Sequence, residues 1–78
     1  SLTYQLIEDV VEEQSENLMV TEEQKKFIAD FYKYSFVGVM LDWIKRGMKE
    51  PPKEMADLIS VTMHGNIGNS LRNMEKHR

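Results

Sequence analysis

His64 and His77 are the only imidazoles in this 78-residue chain, and neither stands four residues from a carboxylate or a second imidazole, the helical spacing that pairs metal ligands. His64 precedes Gly65, where a ring beside a helix C-terminus serves as a cap. Cysteine is absent, which removes thiolate ligands, thiol nucleophiles and disulfides together and fits an intracellular chain. Glu8, Asp9, Glu12, Glu13 and Glu16 crowd one segment, but ligating carboxylates converge from different elements, so these read as a solvated face. Ser35, Ser60 and Ser70 have no partner base in the sequence pattern. Met40, Met48, Met55, Met63 and Met74 read as core fillers. No enzymatic activity, metal or cofactor is expected.

Charge is divided along the chain. Residues 1–24 carry seven acids and no Lys or Arg, whereas residues 25–78 carry ten bases against six acids, for an overall −3. The acidic first segment repels phosphate and argues against a nucleic-acid or anionic-membrane surface there. Residues 53–76, with Arg72 and Lys76 late in the segment, have the outline of a helix-turn-helix, but the Gly-rich connection is too long and the second helix too short to read DNA. The longest near-apolar run, residues 34–44, falls short of the roughly 18 residues needed to span a bilayer, and the N-terminus lacks a signal-peptide pattern. Lys45, Arg46, Arg72 and Lys76 sit at helix ends, a poor basis for the converging cations of a small helical enzyme of the chorismate-mutase type.

The elements that carry these residues are helical throughout, giving an all-α fold. Tyr4, Ile7, Val11 and Leu18, flanked by Leu6 and Val10, follow the spacing of an amphipathic first helix. Thr21-Glu22-Glu23-Gln24 reads as a capping box, opening a second helix over residues 22–46 that stops at Gly47. Pro52 suits the first position of a third helix bearing Met55, Leu58, Ile59, Thr62 and Met63 and ending near Gly65. Residues 65–70 read as a turn, with Ser70 capping a short, frayed last helix that holds Leu71 and Met74.

Residues 34–44 wrap the second helix in apolar side chains on most sides, so it needs cover on more than one of them. A chain this small, with no disulfide, has in oligomerisation its obvious supplement. Ser35, Gly38 and Asp42 leave a narrow seam. Gly38 fits either against the first helix or against a partner helix. A two-fold dimer is therefore expected through residues 34–48 and 52–65, with Tyr34, Val37, Gly38, Leu41, Trp43, Ile44, Met48, Met55, Leu58, Ile59 and Thr62 as its surface. Phe31, Tyr32 and Phe36 with Tyr4 and Ile7 offer apolar walls and a hydroxyl, the makings of a pocket for a small amphiphilic molecule; plain core packing is the competing reading.

Residues 27–48, with their aromatic-rich opening, Gly38, the aliphatic run into Trp43 and the stop at Gly47, are followed by Glu50-Pro51-Pro52-Lys53-Glu54-Met55-Ala56. This pattern, spanning roughly residues 20–65, resembles the C-terminal domain of TetR-family transcriptional regulators, in the branch common in low-GC Gram-positive bacteria. Pro51 departs from the Ser often found at that position and removes a side-chain N-cap. The resemblance implies that residues 1–78 form the regulatory and dimerisation domain of a cytoplasmic bacterial regulator whose DNA-binding helix-turn-helix lies N-terminal to this chain. It further implies a homodimer built on a four-helix bundle, a small-molecule effector, and contact with DNA only through the missing domain, with no membrane partner. An autonomous helical adaptor that dimerises or binds a partner helix is the alternative.

Overall fold

A computed structural model describes residues 2–77, which form four α-helices: α1 (Leu2–Gln14), α2 (Glu22–Lys45), α3 (Pro52–Met63) and α4 (Asn66–Lys76). The capping box at the head of α2 is complete. The Gln24 amide donates to the Thr21 hydroxyl at 3.0 Å, and the Thr21 amide donates to the Gln24 side-chain oxygen at 2.9 Å. At the other end, the amide of Met48 donates to the Trp43 carbonyl and that of Gly47 to the Ile44 carbonyl, the paired bonds of a Schellman stop. That stop requires the left-handed φ of +85° at Gly47. Pro51 occupies the N-cap of α3 without a side-chain hydrogen bond, and Pro52 opens the helix as its lost N–H allows.

The last helix departs from the sequence expectation. The turn is confined to His64 and Gly65, and α4 begins directly at Asn66, with Gly65 at φ +74° at its N-cap. Residues 66–70 are helical despite Gly68 because Ile67, Leu71 and Met74 line up on one face that the rest of the chain covers. Leu71 is the most deeply buried side chain, at 0% exposure. Ser70 is thus an interior helix residue rather than a cap. Its hydroxyl lies 2.9 Å from that of Tyr32.

Three elements make the core. Ile7 and Val11 of α1, Ile28 and Ala29 of α2, and Ile67 and Leu71 of α4 form one buried cluster, with Tyr4, Leu18, Val20, Tyr32, Met63 and Met74 packed against it. At Gly68, which is buried in α4, an added Cβ would stand 3.2 Å from the side-chain oxygen of Gln14 on α1. The core therefore uses only the first half of α2. Its second half and most of α3, apart from Met63, extend beyond it, and the principal extents are 42 × 21 × 19 Å.

Candidate functional site

The projecting half of α2 is stiffened at its tip. Trp43 is buried, and its indole N–H donates to the Glu50 carbonyl at 2.9 Å. The Arg46 guanidinium bridges Asp42 at 2.8 Å and Glu50 at 3.2 Å. These contacts hold the 46–51 connection and so fix where α3 departs. Met55 is buried as well. Trp43 and Met55, expected at a dimer surface, are thus already covered within one chain.

Most of the other residues expected at that surface are open. Tyr34, Val37, Leu41, Ile44, Met48 and Leu58 are all exposed large apolar side chains, and nothing lies within 4 Å of a Cβ built at Gly38. Packing of Gly38 against α1 is thereby excluded. Phe27, Phe31, Tyr34, Gly38 and Leu41 recur at alternating steps of four and three along α2, forming an uncovered stripe in which the four side chains are 58–63% exposed. Phe27 belongs to it although the sequence reading had left it out; the same spacing, read two turns further back, identifies it. Ile59 and Thr62 join Ser35, Phe36, Val39, Leu58 and Met63 around a groove of about 150 Å³ between α2 and α3.

The five residues expected to share a ligand pocket are divided among separate environments. Ile7 is buried in the core. Tyr4 donates its hydroxyl proton to Asp30 at 2.9 Å and carries the Lys33 ammonium 4.2 Å above its ring. Phe36 lines the α2–α3 groove. Phe31 and Tyr32 meet edge to face at 5.5 Å and line a hollow of about 160 Å³ with Phe27, Ile28, Ser70 and Met74. The contribution of α4 to that hollow was missed in sequence because residues 65–70 read as a turn, although the Ile67, Leu71, Met74 spacing carried the signal.

Beside the stripe, Asp30 holds an ion pair with Lys26 at 2.8 Å. The hydrogen bonds from Lys26 and then Tyr4 keep its carboxyl below the ordinary aspartate range, and the same contact with Asp30 raises the Lys26 ammonium. His64 stands at the C-cap of α3. Among the described residues, no three His, Asp or Glu side chains converge in a manner that could hold a metal ion, and no helix is long and apolar enough to cross a membrane. The arm thus presents exposed apolar surface, with the α2–α3 groove on one side and the α2–α4 hollow on another.

No curated protein and no solved structure matches the chain. Residues 1–65, which include α1, α2, α3 and the projecting arm just described, match the TetR family model described as a transcriptional regulator C-terminal region. On that match over most of its length, the chain belongs to the TetR family of transcriptional regulators, as a C-terminal region of such a protein.

Proposed function

We propose that this chain is the dimerisation and effector-sensing domain of a cytoplasmic bacterial regulator, of the branch common in low-GC Gram-positive bacteria, and that it controls a DNA-binding helix-turn-helix lying outside these 78 residues. One observation carries the dimer reading. The chain exposes 5957 Å². A compact monomer of 9.2 kDa exposes about 4,900 Å², and the excess of roughly 1,000 Å² is close to the 800 Å² each partner contributes to a stable interface. Exposed apolar side chains on the projecting α2 and α3, Tyr34, Val37, Leu41, Ile44, Met48 and Leu58, with the Ile59 and Thr62 groove between them, support placing the interface there.

The stripe on α2 is also self-complementary. In an antiparallel pairing about a two-fold axis midway between Tyr34 and Gly38, the Tyr34 ring of one copy lies over Gly38 of the other. Phe31 meets Leu41, and Phe27 meets the aliphatic stem of Lys45. A large side chain opposite a glycine permits the close approach that four packed helices require, with α3 of each copy closing the flanks.

Sedimentation equilibrium of the 78-residue chain at micromolar concentration tests the reading. The wild-type chain is expected to be a dimer, and Leu41→Glu, at an exposed site in each chain, to be a folded monomer. A fully helical wild-type monomer at high concentration refutes the dimer.

A further inference from the structure

Helix α4 begins at Asn66, just past the residues matched to the family, so the family match does not account for it. Its amphipathic face sends Ile67 and Leu71 into the core. Met74, one turn further on, only partly covers Ile28 and the aromatic corner where Phe31 stands edge-on to Tyr32 at 77°. The hollow left there, about 160 Å³, is lined by Phe27, Ile28, Phe31, Tyr32, Ser70 and Met74.

Three features of this hollow select a ligand. No charged side chain lines it, so it offers an ionic ligand no counter-charge. Its volume matches a single aromatic ring, since an apolar cavity of about 150 Å³ takes up benzene. Its walls are aromatic rings and a thioether, which favour the edge and face of another ring. The polar feature of its lining is the Tyr32–Ser70 hydroxyl pair, 2.9 Å apart, in which either oxygen can donate. One proton suffices for the bond between them, so the pair can present a donor or an acceptor to a single polar group on the ligand.

We infer that the α2–α4 hollow is a binding site for an uncharged, one-ring aromatic molecule carrying one hydrogen-bonding group, the chemistry of a simple phenol. The site gives a place to the effector-sensing half of the function proposed above and depends on that function only for its regulatory meaning. Binding itself is independent of the dimer. Phe27 and Phe31 present one side to the hollow and belong to the exposed stripe on α2, so an occupied hollow also meets the back of the dimer surface.

An NMR titration of the 78-residue chain with p-cresol, observing methionine methyl groups, tests this. The Met74 methyl is expected to shift saturably, with contacts from the ligand ring to Phe27, Phe31 and Tyr32, while Met55, buried at the far end, stays unmoved. Toluene, which lacks the hydroxyl, is expected to bind severalfold more weakly. Phe27→Ala removes a wall that is exposed in the single chain. Compared in the Leu41→Glu background, where the proposed contact with the partner's Lys45 is absent, it is expected to weaken binding roughly 5- to 10-fold. Leu41→Glu is expected to bind as the wild type does, which separates a failure of this site from a failure of the dimer. Three results overturn the inference: no saturable Met74 shift up to the solubility of p-cresol, equal affinity for toluene, or an undiminished Phe27→Ala. Loss of binding in Leu41→Glu, if that variant keeps its helicity, also overturns it, because the hollow lies within one chain.

Discussion

Replacing Gly38 with leucine sets two effects of opposite sign against each other. Within one chain nothing lies within 4 Å of a Cβ at this position, so the new side chain meets solvent and the helix gains intrinsic stability. Glycine inside a helix is about 0.8–1 kcal/mol less favourable than alanine or leucine, and for a domain of this size that raises the melting temperature by about 4–8 °C. In the proposed dimer the same leucine stands beneath the partner's Tyr34 ring. Overpacking at a close crossing costs about 1–3 kcal/mol, which weakens the dimer by roughly 5- to 150-fold. Thermal melts followed by circular dichroism over a hundredfold range of protein concentration separate the two, with sedimentation on the same samples. The expected outcome is a variant more stable than wild type when dilute, with that advantage shrinking or reversing as concentration rises. A lower melting temperature at every concentration refutes the open environment of Gly38. An equal rise at every concentration shows that no partner helix approaches it.

Leu71→Ala, at a side chain with 0% exposure, is expected to cost about 2–5 kcal/mol and to be read as loss of cooperative unfolding or a sharply lowered denaturant midpoint. Trp43→Ala is expected to cost about 3–5 kcal/mol, and Trp43→Phe, which keeps a ring but leaves the Glu50 carbonyl without its donor, about 1 kcal/mol. Equal effects of the two Trp43 changes in urea unfolding would show that the hydrogen bond, not ring burial, holds the α2–α3 connection. Asp30 has a folded-state carboxyl held down chiefly by Lys26 and then by Tyr4. Its contribution to stability is present above the ordinary aspartate range and is lost as pH falls through the lower folded value. Asp30→Asn is therefore expected to lower stability at neutral pH and to narrow its gap from wild type in strong acid, as measured by urea midpoints against pH.

Local rules were enough for much of the fold. The capping box at Thr21 and Gln24, the stop at Gly47 and the start at Pro52 depend on neighbouring residues alone, and all three were legible in the sequence. The core face of α1, with Ile7 and Val11 inside and Leu6 and Val10 outside, follows from helical period by itself. That the single chain leaves much of the second helix uncovered was also legible, because residues 34–44 are apolar on more sides than so short a chain can bury. Tertiary structure decided what those faces meet. Two glycines made residues 65–70 look like a turn, yet burying Ile67 and Leu71 outweighs the helix cost of Gly68. Gly38 and Gly68 have the same local propensity. One faces open space and the other lies buried against the Gln14 and Arg72 side chains, a difference set by chain path rather than by sequence neighbours. Trp43 and Met55 illustrate the same limit: helical spacing places them on a surface, yet both are buried within the single chain.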